Sequence, residues 1–108
     1  MNIFVKDFSE YPGPRKESIG PNSGEKFREK VLAPAIRANP DELIVVNLDG
    51  TSGYGSSFLE EAFGGLIRDG IPFDRVIKIV DNIISVEDDS LISEIREYVI
   101  EAQEELHG

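Results

Sequence analysis

Leu43-Ile44-Val45-Val46-Asn47-Leu48-Asp49-Gly50-Thr51-Ser52-Gly53-Tyr54-Gly55-Ser56-Ser57-Phe58-Leu59-Glu60-Glu61-Ala62-Phe63-Gly64-Gly65 is the stretch whose reading decides the fold. The run from Leu43 to Leu48 is nearly all apolar and rich in β-branched residues, which predicts a short strand covered on both faces. A glycine-rich turn follows. Ser57 and Glu60 then stand in capping-box spacing, ahead of apolar residues at 58, 59, 62, 63, 66 and 67, so a helix is predicted to begin here. A strand, a loop and a helix N-terminus in that order suit a phosphate, a carboxylate or a partner's side chain. Candidate functional residues therefore concentrate in this turn.

Upstream, Ile3-Phe4-Val5-Lys6-Asp7-Phe8 predicts an opening strand, stopped by Tyr11-Pro12-Gly13-Pro14-Arg15, because two prolines and a glycine cannot continue a ladder. Ser9 to Pro21 reads as a loop, with room for a short strand around Ser18-Ile19. Asn22 and Glu25 form a second capping-box spacing, and Phe27, Val31, Leu32 and Ala35 follow at helical intervals. A first helix is thus predicted from near Ser23. Pro34 removes a donor and clashes with the carbonyl of Lys30, which predicts an end or kink around Leu32 to Ala33 and a further turn to Arg37. Asn39-Pro40-Asp41 punctuates the entry to the central strand.

Downstream, the second helix is predicted from about Phe58 to Arg68, with Gly64-Gly65 in its body. Two such residues cost roughly 1 kcal/mol each against alanine, a cost that close packing on another backbone would offset. Gly70 predicts the C-terminal stop. Arg75-Val76-Ile77-Lys78-Ile79-Val80 reads as a third strand. The last helix begins near Asp88 or Asp89 and carries Leu91, Ile92, Ile95, Tyr98, Val99, Ala102 and Leu106 at intervals of three and four. Its acidic side, with Glu94, Glu97, Glu101, Glu104 and Glu105, is expected to face water. The order predicts a small α/β sandwich: a mostly parallel or mixed sheet of about three or four strands, packed with about three helices.

With 108 residues the chain is read as a single domain spanning residues 1–108. Absence of cysteine removes disulfides, thiol nucleophiles and cysteine metal sites. No segment approaches the roughly 18 consecutive apolar residues of a membrane span, and the opening residues lack a signal pattern. The expected compartment is the cytoplasm. A net charge of −10, mostly from Glu87 onward, repels a phosphate backbone, so neither nucleic acid nor membrane is expected as partner.

The residues Tyr11-Pro12-Gly13-Pro14-Arg15, Gly20, Ser23-Gly24-Glu25, Phe27-Arg28 and Gly53-Tyr54-Gly55-Ser56-Ser57-Phe58-Leu59-Glu60-Glu61-Ala62-Phe63-Gly64 resemble the STAS-like domains of unknown function found in bacteria, over nearly the whole chain. These domains look like distant relatives of the anti-sigma-factor antagonists, small α/β proteins that dock on an ATPase-type kinase. In the antagonists, a serine in an Asp-Ser-Ser-Gly-Leu turn at a helix N-terminus is phosphorylated to break the complex. Gly55-Ser56-Ser57-Phe58-Leu59 matches the two serines and the leucine and departs at the aspartate and the glycine. The resemblance makes Ser56 and Ser57 the candidate phosphorylation positions and a histidine-kinase-like ATPase the candidate partner.

Competing chemistries are incomplete. No lysine follows the glycines as a P-loop needs. Around Ser57 the nucleophile-elbow positions are Gly55 and Leu59, so half that pattern is missing. The single histidine, His107, sits beside the C-terminus, a poor place for a catalytic base. Asp49 and Asp81 would end adjacent strands, where two carboxylates are candidates for Mg²⁺, but strand-end aspartates more often cap turns, and hard-cation sites need several oxygens. Arg15 and Lys16, an adjacent basic pair, are candidates for an anion site with the helix start at Asn22-Ser23-Gly24; a solvated loop is the alternative. Tyr54, between two glycines, is the better candidate contact, and Phe58 is placed in the core.

The expected function is a non-enzymatic signalling module that binds another protein through Arg15, Asp49, Gly53, Tyr54, Gly55, Ser56, Ser57 and Glu60. The alternative is a small-ligand or anion sensor using the glycine-rich loop and Arg15. No enzymatic activity, cofactor or metal is expected, and the oligomeric state is left open.

Overall fold

A computed structural model describes residues 1–107. Strand β1 (Asn2–Phe4) pairs in parallel with β2 (Val45–Asn47), in the register Asn2↔Val45, Ile3↔Val46 and Phe4↔Asn47. Ile3 and Val46 point into the core, while their neighbours along each strand face outward, as the two-residue period of a strand requires. On the other side of β2, Ile84 makes a single parallel bridge to Asn47. Its N–H donates to Val46 O at 2.9 Å and its carbonyl accepts from Leu48 N at 2.8 Å. The sheet is therefore narrower than expected among the described residues: two strands and one bridge.

Two predicted strands are corrected. Only Asn2–Phe4 of the first is extended; Val5–Phe8 closes a helical turn, α1, which brings Phe8 edge-on to Phe27 at 5.4 Å between ring centroids. The segment predicted as a third strand lies inside helix α4 (Phe73–Asp81), because Val76, Ile79 and Val80 share one buried helical face. Phe73, Val76, Ile77 and Val80 recur at three- and four-residue intervals, a stronger constraint than their β-branched content. Around Ser18-Ile19 there is a turn, with Ile19 N donating to Lys16 O at 3.0 Å.

The two central helices form as predicted but with different devices. Helix α2 runs over residues 24–38 and α3 over residues 56–68, each interrupted by a π turn, Arg28–Leu32 and Glu60–Gly64 respectively. Ser23, not Asn22, caps α2, its hydroxyl accepting from Lys26 N at 3.0 Å. Asn22 holds a positive φ of 56°, which asparagine tolerates better than most residues, and Glu25 turns to Glu17 N and Lys16 instead of back to the cap. Pro34 neither ends nor breaks α2. The wider π turn closes with Ala33 N on Arg28 O, and Pro34 falls at the start of the next α segment, where its missing N–H is tolerated.

Helix α3 ends in a Schellman motif: Ile71 N reaches Leu66 O at 3.1 Å and Gly70 N reaches Ile67 O at 3.0 Å, with Gly70 at φ 91°. Helix α5 (Ser90–His107) buries Ile95, Val99 and Ala102 against α3 and α4 of its own chain, while Leu106 is exposed. Glu97, Glu101, Glu104 and Glu105 face water.

Phe27 and Phe58 lie 5.9 Å apart at the centre of the core, where α2 meets the start of α3. That approach depends on Gly24, since a Cβ there would overlap the Phe58 carbonyl. Gly24→Ala is accordingly expected to destabilise the fold by about 1–3 kcal/mol, whereas Gly55→Ala, at φ −79° with nothing near the added methyl, changes stability by less than about 0.5 kcal/mol. Urea unfolding of the two variants checks the contrast.

Candidate functional site

The loop from Asp49 to Gly55 leaves β2 and feeds α3, as the sequence indicates. Its start is pinned by Asp49, whose carboxylate accepts from Val86 N at 3.1 Å and Glu87 N at 3.0 Å. Glu87 returns the contact, accepting from Gly50 N at 2.6 Å. Asp49 thus ties two loops through their backbones, and Asp81, predicted beside it at a strand end, instead sits at the end of α4 in an ion pair with Arg96 at 2.5 Å. The described residues contain no group of three or more histidine, cysteine, aspartate or glutamate side chains able to hold a metal ion.

Tyr54 is half-buried. Its ring packs on Phe58 at 5.7 Å and its hydroxyl donates to Leu48 O at 2.7 Å, so it braces the loop against the core. Burial, with help from Asp49 and Glu87, pushes the Tyr54 phenol up to about 12 against the hydrogen bond with Thr51 that lowers it. Leu48, Asp49, Thr51, Gly53, Tyr54 and Ser85 share the wall of a cavity of about 240 Å³ with Glu87 and Asp88. Three carboxylates and no cation line it.

Beyond Tyr54 the chain opens to solvent. Gly53, Gly55, Ser56 and Ser57 are exposed, and a Cβ at Gly53 or Gly55 would meet nothing. The predicted Ser57–Glu60 capping box does not form: Gly55 is the N-cap in extended geometry and no side chain caps α3. Glu60 is drawn away because Arg15 and Arg68 hold it. Arg68 donates to its two oxygens at 2.7 and 3.1 Å, and Arg15 hydrogen-bonds it from the proline loop. Ser56 lies beside the Tyr98 hydroxyl, which donates to Glu94 at 2.6 Å.

Arg15 and Lys16 are likewise committed. Arg15 also reaches Glu61 at 3.4 Å, and Lys16 lies 3.4 Å from Glu25 and 3.5 Å from Glu61. The helix start proposed as their co-ligand is filled by the chain itself: Gly24 N donates to Pro14 O at 2.9 Å and Glu25 N to Arg15 O at 3.0 Å. Sequence reading missed the centre of this network, Arg28 and Glu61, both buried. Arg28 Nη1 lies 2.5 Å from both the Glu61 carboxylate and its carbonyl, and Nε donates to Asp69 at 2.9 Å.

The available signal was Gly64-Gly65, four residues after Glu60-Glu61. The expected close packing on another backbone is not what these glycines serve: a Cβ at Gly65 would overlap the Arg28 guanidinium, and one at Gly64 would overlap the Glu60 carboxylate. Burial pushes the Glu61 carboxyl up, but the Arg28 hydrogen bond and the charges of Arg28, Lys16 and Arg68 outweigh it and hold the group below its usual 4.5. Glu60 is held low in the same way by Arg68 and Arg15, again against burial.

A depressed folded-state pKa contributes stability above the unfolded value and loses it as pH falls through the folded one. The stability gap between wild type and Glu61→Gln is therefore expected to be full above about pH 5 and to narrow as acid protonates Glu61 in the folded protein, a trend that urea melts across the acid range would follow. At neutral pH, Arg28→Met or Glu61→Leu alone costs about 3–5 kcal/mol by removing the closest partner of the other buried charge, and the two together cost less than the sum. Thermal melts of the singles and the double measure the coupling.

A family model described as a STAS-like domain of unknown function matches residues 23–87, more than half of the chain. No curated protein matches the chain, and no solved structure does.

Proposed function

We propose that this chain, which belongs to the STAS-like domain family of unknown function, is a non-enzymatic signalling module that docks a partner protein through the loop and helix head from Gly53 to Ser57. The observation that carries the reading is the exposure of Ser56 and Ser57 at a helix start where neither caps the helix. A solvent-facing hydroxyl that does not cap its helix can be modified without unfolding its host. A phosphate on Ser56 would arrive beside Tyr98 and Glu94, so added negative charge disrupts a docked surface by like-charge repulsion. The proposed partner is an ATPase of the histidine-kinase-like class, taken from the resemblance to the antagonists.

The anion-sensor reading has less support. Arg15 is held by Glu60 and Glu61 and does not line the loop cavity, whose charged walls are acidic. No helix among the described residues is long and apolar enough to cross a membrane.

Retention of an ATPase from lysate supplied with ATP and Mg²⁺, by immobilised wild type and by Ser56→Ala but not by Ser56→Asp, is the expected outcome. Mass spectrometry of the bait should then find phosphate on Ser56 of the wild type. Equal retention by all three baits, with no phosphate on the wild type, would sink the switch.

A further inference from the structure

We propose that a cavity away from the loop, between the end of α2, the end of α3 and the start of α4, binds a small monocarboxylate with a compact apolar body. The cavity has a volume of about 290 Å³, and its walls include Ile36, Arg37, Asp69, Ile71, Pro72 and Arg75. Its charge runs against that of the chain, which carries 21 acidic residues and 11 basic ones. Arg15, Arg28, Arg68 and Arg96 each lie in an ion pair with a carboxylate. Arg37 and Arg75 have no such partner among the described residues, and both line this one cavity.

The two arginines take different parts. Arg75 is fixed by backbone carbonyls: Nη1 donates to Pro40 O, and Nη2 to Asn39 O at 2.6 Å and Glu42 O at 3.3 Å. Those oxygens orient the guanidinium without cancelling its charge. Arg37 is exposed and makes no hydrogen bond or ion pair among the described residues, so its planar set of donors is open to a carboxylate. Asp69 shares the wall, but its own carboxylate accepts from Arg28 Nε at 2.9 Å. Asp41, Glu42 and Asp74 are close in sequence and do not line the cavity, and Glu42 is turned to the N-terminal amine at 3.3 Å. Two guanidiniums against one carboxylate leave a single positive charge, which suits a monoanion better than a doubly charged phosphate. Pro72 begins α4 with no side-chain cap, so the helix start adds to the attraction for negative charge. The apolar part of the ligand follows from the remaining walls. Ile36 and Ile71, both buried, form a floor between Pro40 and Pro72, and carbon attached to a carboxylate gains from contact with it where an inorganic anion does not.

The test titrates the isotope-labelled 108-residue chain with sodium benzoate, ionic strength being held constant with sodium chloride, and follows amide chemical shifts. Saturable shifts are expected at Arg37, Gly70, Ile71 and Arg75. Benzamide, which keeps the ring and lacks the charge, and inorganic phosphate, which lacks the ring, should each bind about tenfold more weakly or worse. Arg37→Gln alters an exposed side chain that bonds nothing in the folded chain, so the fold is kept, and benzoate should bind it about tenfold more weakly. The proposal is overturned by absent or unsaturable shifts, by shifts centred on Arg15 and Lys16, or by unchanged affinity in Arg37→Gln. It is equally overturned if phosphate binds as tightly as benzoate, which would make the arginines a general anion trap, or if benzamide does, which would leave them no part in recognition.

Discussion

The pairing of Arg28 with Glu61 governs how the two central helices meet. Each side chain is about 5% exposed, and a charge taken so far from water is tolerated only when its partners are placed closely around it. Arg28 finds a carboxylate, a carbonyl and Asp69. Sliding α2 along α3 by one turn, about 5.4 Å, would leave both charges buried and unpaired. The pair therefore excludes alternative registers that apolar packing alone would allow. Both residues lie in π turns, where the widened backbone changes the direction in which side chains leave the helix.

That arrangement also decides what the surface can offer. Arg15, Lys16, Arg28 and Arg68 all lie within ion-pair distance of Glu60 or Glu61, so the positive charge nearest α3 is used internally. What remains beside the loop is acidic, with Asp49, Glu87 and Asp88 around the cavity and Glu94 near Ser56. A positively charged or neutral apolar partner surface meets less repulsion there than an anion does. STAS-like membership fixes the family and leaves the activity to be argued from such local chemistry.

Much of the architecture was legible in the sequence because local signals and global packing agree there. The strand at Val45 to Asn47, the helix starting after Ser23, the stop at Gly70 and the long last helix are all carried by patterns within a few residues. The segment around Val76 was misread because isoleucine and valine suit strands, yet their three- and four-residue spacing suits a helix that packs on its neighbours. The site was half legible: the loop and its exposed serines could be placed, whereas the fate of Arg15 depended on Glu60 and Glu61, some 45 residues away. Long-range charge pairing leaves little local trace. The two glycines that make room for it were visible, but their purpose was not.

The parallel pairing of β1 with β2 has a consequence for the order of folding. Ile3 meets Val46 across a loop that contains the whole of α2, and three residues of strand repay the closure entropy of that loop slowly. Contacts of such separation form late, after the helices have a core of their own to close upon. Amides of the sheet should then exchange with solvent through partial openings that leave the helical core folded, with β1 the first element released.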